Sequence, residues 1–230
     1  AVEWTVSSDG DWLSISREGD IVNISATQNT GSHRDASLTV TAEAGNDIQT
    51  VSISIAQQSK DENSYYKMLG YYGLYASDWY YGGAAIGEPG TGAFCTIEEN
   101  EYGKSFIIKD MFFQGTEIGA TYDSKNKKMI IDLGGLCYTR EISSTSTYYY
   151  YLVQTSMTNR NFHSGTLTGT LGTGYNDIAK ENRDAILLSG FADGYTELGL
   201  IVRTSSGYAM LSDVYYASGE MYLVKCDKTE

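Results

Sequence analysis

Apolar and polar residues alternate along most of this chain, in short segments separated by turn residues. In the first sixty residues the clearest segments are 12–16, 21–26, 38–42 and 51–55. A two-residue period rich in β-branched side chains predicts strands of a sheet with one solvent-facing side. The predicted strands recur about every 10–14 residues, which is typical of a β-sandwich.

The alternation continues beyond residue 64 and predicts a second set of short antiparallel strands. A short turn is expected over Ser64–Leu69, and a helix over Asp177–Arg183 with Asp177 as its N-cap. So many short strands must protect their edges, either by closing a barrel or by stacking two sheets, and we predict a barrel. The predicted strands are Gly70–Ser77, Ala93–Glu98, Ser105–Phe112, Ile118–Tyr122, Met129–Leu133, Tyr148–Thr155, Thr166–Leu171, Ala185–Ala192, Leu198–Thr204, Tyr208–Val214 and Met221–Val224.

The aromatic residues divide the chain into two parts. All 20 tyrosines lie at or beyond Tyr65, whereas the only aromatic residues before it are Trp4 and Trp12. A single core does not usually segregate its large side chains in this way. The sequence therefore predicts an all-β protein of two domains: a sandwich over 1–58, a linker over 59–64 and a tyrosine-rich antiparallel β-barrel over 65–230.

The front segment resembles a known family in the order of its landmark residues. The landmarks are Trp4-Thr5-Val6, Trp12-Leu13-Ser14-Ile15, Asn29 with Arg34, and Ile55-Ala56-Gln57-Gln58. Together they resemble a BACON domain, an immunoglobulin-like sandwich of surface and secreted proteins of gut bacteria. The family is named for carbohydrate binding, although many members act as spacers. Members usually have one or two strands before the first tryptophan, so either this sandwich is shortened at its start or an edge is supplied by residues outside this sequence.

The two tryptophans of the front segment have two interpretations. They could serve as sugar-stacking platforms, but large aromatic side chains generally fill a core. We favour the core interpretation for both Trp4 and Trp12.

The start of the second part resembles the opening of a lipocalin-like (calycin-like) barrel. The run from Tyr65 to Tyr72 has the short turn, the glycine and the first strand of such barrels, with Tyr72 where those families usually carry tryptophan. Similar barrels follow BACON domains in gut-bacterial lipoproteins. This resemblance implies an exported protein, anchored to the outer membrane or displayed on the cell surface, whose lipid anchor lies outside this sequence.

Charge and hydropathy exclude several classes of partner. The chain has 16 Lys and Arg against 29 Asp and Glu, a net charge of −13 spread over both parts. Nucleic-acid binding requires clustered cations, because release of phosphate counterions drives it, and we expect no nucleic-acid partner. No apolar run reaches the roughly 18 residues of a membrane span, so no transmembrane segment is predicted.

Catalytic and metal-binding patterns are not recognisable. Only His33 and His163 are present, and no cofactor, metal or catalytic residue is predicted. A glycoside hydrolase would need two suitably spaced carboxylates, which we could not assign to a motif. The three cysteines either fill core positions or include one disulfide with a third free thiol. The acidic candidates are Glu88, Glu98, Glu99, Glu101, Asp110, Glu117 and Asp132, and the cysteines are Cys95, Cys137 and Cys226.

Crowded aromatic residues provide the candidate binding site. Successive residues of a strand point to opposite faces, so one core cannot absorb both members of each tyrosine pair. The surplus rings either fill outward strand positions or line a site for a glycan or a small amphipathic molecule. The alternative is a structural or docking module of a cell-surface assembly, and a glycoside hydrolase is less favoured. The predicted ligand-binding residues are Trp79, Tyr80, Tyr81, Tyr148 and Tyr150.

Overall fold

The computed structural model describes residues 3–60, 62–82, 84–210 and 215–228. The chain divides into two compact units, Ala1–Tyr66 and Lys67–Glu230. The described residues are almost entirely strand and turn, as an all-β fold predicts. A single helical turn, α1 (Ser64–Lys67), lies where the short turn over Ser64–Leu69 was predicted.

The front unit consists of two small antiparallel sheets. Strands β1, β4 and β5 form one sheet, and β2 and β3 form the other. Trp12, Ala36 and Leu38 are buried, so Trp12 fills a core as predicted. The strands are β1 (Glu3–Ser8), β2 (Leu13–Glu18), β3 (Ile21–Ala26), β4 (Arg34–Ala44) and β5 (Asp47–Gln57).

A network of hydrogen bonds connects the polar landmark residues of the front unit. The Gln57 side-chain oxygen accepts hydrogen bonds from Nε and Nη2 of Arg34 at 2.9 and 2.7 Å. Both side chains also donate to the Thr27 carbonyl, at 2.7 Å from Arg34 and 3.1 Å from Gln57. The buried Asn29 amide donates to the carbonyls of Ser32 and Gln58. These bonds join the loop before β4 to the end of β5.

The second unit contains a closed antiparallel barrel of eight strands, which confirms the predicted barrel. Each strand pairs with the next in the ring, and β19 pairs with β6 to close it. The ring follows chain order, so the barrel is an up-and-down meander with insertions. Its strands are β6 (Gly70–Tyr81), β8 (Gly90–Glu101), β9 (Ser105–Lys109), β10 (Glu117–Asp123), β11 (Lys128–Asp132), β15 (Thr166–Asn176), β16 (Glu181–Ser189) and β19 (Tyr215–Lys225).

Apolar side chains fill the barrel interior. Register pairs such as Ile97 with Ile108 and Ile131 with Leu167 place alternate residues of neighbouring strands on the inner face. All four of these side chains are at most 3% exposed. An eight-stranded barrel is just wide enough for its own side chains, which agrees with this filling.

Two insertions in the meander build a second sheet, here called the side sheet. One insertion lies between β11 and β15 and the other between β16 and β19, and they meet where β13 pairs with β17. The side sheet is joined to the barrel because β17 also pairs with β19, from Glu197↔Ser218 to Gly199↔Tyr216. Its strands are β12 (Leu136–Ser143), β13 (Ser146–Ser156), β14 (Asn161–His163), β17 (Glu197–Thr204) and β18 (Gly207–Met210). The remaining strand of the unit, β7 (Ala84–Ala85), pairs with β6.

Several sequence-based expectations are corrected by this architecture. The predicted helix over Asp177–Arg183 is absent: residues 177–180 form a turn and β16 begins at Glu181. The predicted strand Ser105–Phe112 ends at Lys109, and strand β12 was not predicted. The last four residues of the predicted strand Tyr208–Val214, at 211–214, lie outside the described residues.

All three cysteines are free and buried, as core positions require.

Candidate functional site

Trp79 of the predicted site is a buried anchor. Its side chain is 3% exposed, and its indole Nε1 donates to the Gly90 carbonyl at 2.8 Å. The edges of Phe112 and Tyr215 cover it, with ring centroids 6.4 and 6.3 Å away. Trp79 therefore joins β6 to β8 and offers little surface for a ligand.

The two tyrosines after Trp79 differ in exposure. Tyr80 is half-buried and pairs in register with Tyr216 of β19. Tyr81 is exposed, and its ring lies 4.9 Å from that of the equally exposed Tyr215. Of these two predicted residues, Tyr81 is the one whose ring is open to solvent.

The run Tyr148–Tyr151 alternates between the two faces of β13, as the strand prediction requires. Tyr148 and Tyr150 share one face, where they pair in register with Arg140 and Tyr138. Tyr150 is 3% exposed, and its ring lies 5.7 Å from Phe113. Tyr149 and Tyr151 lie on the opposite face.

The carbonyl of Tyr150 also holds a thiol. It accepts a hydrogen bond from the Cys137 Sγ at 3.3 Å. Burial of this thiol raises its pKa to about 11 because the thiolate would lose its hydration, an effect that its hydrogen bonds partly offset. Cys137 is therefore a neutral packing residue of β12 near neutral pH.

One loop contacts both groups of predicted ligand-binding residues, the group that includes Trp79 and the group that includes Tyr150. Consecutive residues of the β9–β10 loop contact both: Phe112 packs against Trp79 and Phe113 against Tyr150. Phe112 has a φ of 67°, an uncommon conformation for a bulky residue. The neighbouring Thr116 hydroxyl, which donates to the Met111 and Phe113 carbonyls at 2.8 and 3.0 Å, holds the loop in place. Such over-determined backbone strain is often found near functional sites.

The strongest candidate site is a groove on the Tyr149 and Tyr151 face of the side sheet. The groove has a volume of about 650 Å³ and is open to solvent. Register explains its composition, because Tyr149 pairs with Arg203 and Tyr151 with Leu136 across neighbouring strands. Its lining residues are Leu136, Thr145, Ser146, Thr147, Tyr149, Tyr151, Arg203, Thr204 and Ser205.

Further aromatic rings extend from the groove. Tyr208 is 51% exposed, and its ring lies 5.5 Å from that of Tyr151 and 5.4 Å from that of Phe162. The Arg203 guanidinium lies 5.9 Å from the centre of the Tyr208 ring. Tyr149 itself is 40% exposed and has no ring partner among the described residues. The face therefore presents flat apolar surface beside hydroxyl groups and one cation.

Sequence reasoning identified this region but not this face. The tetrad Tyr148–Tyr151 was recognised as a surplus of rings, and Tyr148 and Tyr150 were predicted to bind ligand. The structure places their neighbours Tyr149 and Tyr151 in the groove. Arg203 carries no local signal, because only the β13–β17 register brings it beside Tyr149.

Other aromatic pairs on the barrel exterior stack on each other. The rings of Tyr75 and Tyr222 lie 4.6 Å apart and almost parallel, and those of Tyr71 and Phe94 lie 5.7 Å apart. Partial burial raises the pKa of both Tyr75 and Tyr222. Since these rings cover one another, they have less free face for a ligand than Tyr149.

Three of the seven acidic catalytic candidates, Glu98, Glu101 and Asp110, have structural partners among the described residues. Glu98 pairs with Lys109 at 2.8 Å, and the Asp110 carboxylate accepts a hydrogen bond from the Gly115 amide at 2.7 Å. Within the described parts of the chain, no group of three or more His, Cys, Asp or Glu side chains is arranged to hold a metal ion. The groove also lacks a carboxylate among its lining residues.

Comparison with known families identifies the front of the chain. Residues 2–58 match the BACON family, which is described as a "putative binding domain, N-terminal". The BACON resemblance of the landmark residues is therefore confirmed for this segment, which is about a quarter of the chain. Comparison with curated proteins and with solved structures found no match. In the described part of the chain, no helix has the length and apolar character that a membrane span requires.

Proposed function

We propose that this protein is a non-catalytic binding protein and that the groove of the side sheet holds a segment of a glycan. The observation that carries the proposal is the open face of Tyr149 beside Tyr151, hydroxyl groups and Arg203 in one groove of about 650 Å³. This volume falls in the range of small-molecule sites, about 300 to 1,000 Å³. A tyrosine ring can stack on the apolar face of a sugar while neighbouring hydroxyl groups bond to the sugar hydroxyls.

The five aromatic residues predicted from the sequence take two roles in this proposal. Trp79 and Tyr150 position the loop that carries Phe112 and Phe113. This loop packs against the face of the side sheet that lies opposite the groove. Tyr81, paired with Tyr215, is a second candidate contact because both rings are exposed. Tyr80 and Tyr148 are half-buried and would contribute through packing.

A glycan array followed by calorimetry tests the proposal. Covering one ring face, on the order of 60 Å², contributes about 1.5 kcal/mol. Tyr149→Ala and Tyr151→Ala should therefore each weaken binding roughly tenfold. Tyr175→Ala is the matched control, since Tyr175 is 45% exposed on β15 and does not line the groove. A wild-type protein that binds no glycan, or variants that bind as tightly as the control, would refute the proposal.

A second candidate function, docking to a protein of a surface assembly, is favoured by one edge of the front unit. Strand β5 pairs only with β4 among the described residues, and its Ile48, Val51 and Ile53 side chains are 50–61% exposed. An edge strand with exposed apolar side chains, whose one charged residue is Asp47, is suited to adding an extended strand of a partner protein. In this case Val51→Lys would abolish partner binding and leave glycan binding unchanged.

We further propose that the protein acts outside the cytoplasm, anchored to the outer membrane or displayed at the cell surface. The BACON match supports this proposal, because the family resemblance implies export. Cell fractionation combined with protease treatment of intact cells tests it. Full protection of the protein in intact cells, together with recovery in the cytoplasmic fraction, would contradict it.

A further inference from the structure

The charge of the groove is opposite to that of the protein. The whole chain has a net charge of −13, yet the one charged residue among those lining the groove is Arg203. Glu141 pairs in register with Thr147 in the adjacent strand, but it does not line the groove. A random surface of so acidic a protein would more often present carboxylates.

Within the part of the chain that the structure describes, the Arg203 side chain has no carboxylate partner. Among the described residues, no carboxylate lies within 4.0 Å of its guanidinium. Arg183, by contrast, is paired with both Glu181 and Asp227 at 2.7 and 3.2 Å. Arg140 and Arg160 are exposed too, but neither lines the groove.

The strand register places Arg203 beside Tyr149, the ring on which we propose that a sugar stacks. Arg203 pairs in register with Tyr149 on one side and with Tyr208 on the other, so all three residues share one face. The guanidinium lies near the Tyr208 ring, a contact that orients a planar cation. A sugar stacked on Tyr149 would thus place its substituents beside the Arg203 guanidinium and the Thr147 hydroxyl.

We infer that the groove selects an anionic sugar, one whose carboxylate or sulfate group binds Arg203. This inference rests on the proposed glycan-binding function and specifies its ligand class. A guanidinium binds such planar or tetrahedral oxyanions through paired charge-assisted hydrogen bonds, which are stronger than the neutral bonds that hydroxyl groups offer. Neutral glycans would use the same tyrosine platform without this bond.

Paired probes separate the two sources of negative charge. Uronic-acid oligosaccharides are compared by calorimetry with their carboxyl-reduced, neutral counterparts, and sulfated oligosaccharides with their desulfated counterparts. At least one acidic probe should bind about tenfold more tightly than its neutral counterpart, as expected for one charge-assisted bond at an exposed site. High salt should reduce this difference because it screens an exposed ion pair.

Arg203→Gln is the decisive variant and Arg160→Gln its control. The first should weaken binding of the acidic probe about tenfold, so that it binds no more tightly than its neutral counterpart, and the second should leave the preference for the acidic probe intact. Circular dichroism spectra and thermal unfolding of both variants establish that they fold. If acidic and neutral probes bind equally well, the inference is wrong and glycan binding stands. If no probe and no array glycan binds, both fail.

Discussion

A single methyl group tests how the side sheet is fastened to the barrel. Gly199 of β17 lies opposite Tyr216 of β19, in the one strand pairing that joins the side sheet to the barrel among the described residues. A Cβ atom added to Gly199 would lie 1.9 Å from Cδ1 and 2.5 Å from Cε1 of Tyr216. Tyr216 is fully buried, and its hydroxyl donates to the Leu200 carbonyl at 2.9 Å. Gly199→Ala must therefore displace a ring that packs on all sides.

Competing effects set the size of the change. Replacing glycine by alanine in a strand normally stabilises the fold by about 0.5 to 1 kcal/mol, because glycine loses more backbone entropy on folding. Overpacking a core costs about 1 to 3 kcal/mol. Loss of the Tyr216 hydroxyl bond adds about 1 kcal/mol. We expect a net loss of about 1 to 3.5 kcal/mol, which lowers the melting temperature by roughly 2 to 14 °C in a unit of this size.

Urea and thermal unfolding followed by near- and far-ultraviolet circular dichroism measure this loss. Gly135→Ala is the control, since no atom lies within 4 Å of the Cβ position there. In a Tyr216→Ala background the cost of Gly199→Ala should disappear, because the clashing ring is gone. The reasoning is refuted if Gly199→Ala is as stable as the control, or if its cost persists in that background.

Three other predictions concern stability and thiol chemistry. Because burial raises the pKa of Cys137 from 9.0 to about 11, its contribution to folding stability is complete below pH 9 and is lost as the pH rises to about 11, by up to about 3 kcal/mol; Cys137→Ala should reduce the slope of the stability–pH curve in this range, and part of the slope should remain because burial also raises the pKa of Cys95. The Asp177 carboxylate accepts bonds from the Thr91 amide and hydroxyl at 3.1 and 2.6 Å, so Asp177→Ala should lower the free energy of unfolding, measured by urea titration, by about 1.5 to 3 kcal/mol, whereas Asp193→Ala, at an exposed position, should not. The buried thiols should resist a disulfide exchange reagent in the native protein and react in urea, and rapid labelling of any thiol in native protein would contradict their placement.

The sequence predicted those strands in which apolar and polar residues alternate. The alternation of Val22, Ile24 and Ala26 predicted β3, and the predicted strands Ile118–Tyr122 and Met129–Leu133 correspond to the paired strands β10 and β11. Strand β12 was missed for the same physical reason. Residues 139–143 are exposed and mostly polar, so this edge strand has no buried side to mark it. Its position is determined by pairing with β13, which the sequence does not display.

The predicted helix at Asp177 failed because a distant partner outcompetes a local one. A carboxylate at a helix start would cap its own backbone amides. Asp177 instead bonds to Thr91, which lies 86 residues earlier in the chain. The Asn176 side chain bonds to the amides of Ile178 and Ala179 and supports a tight turn into β16. Asp177 does accept hydrogen bonds, as a capping residue would, but its partner is Thr91 and the segment forms the turn of the β15–β16 hairpin.

The face that carries the groove could not be chosen from the tyrosine run alone, since the choice depends on strand register. Shifting β13 by one residue relative to its neighbours would exchange its two faces. The observed register is favoured by packing on the covered face, where Tyr150 lies between Tyr138 and Phe113, and by an irregularity at Cys137 that brings Tyr138 opposite Tyr150. Phe113 belongs to a barrel loop, so the barrel itself selects which tyrosines are covered. Tyr149 is left exposed because the observed register places Tyr150, and not Tyr149, on the face that packs against Phe113. A run of aromatic residues thus predicts where exposed rings lie but not which ring is exposed.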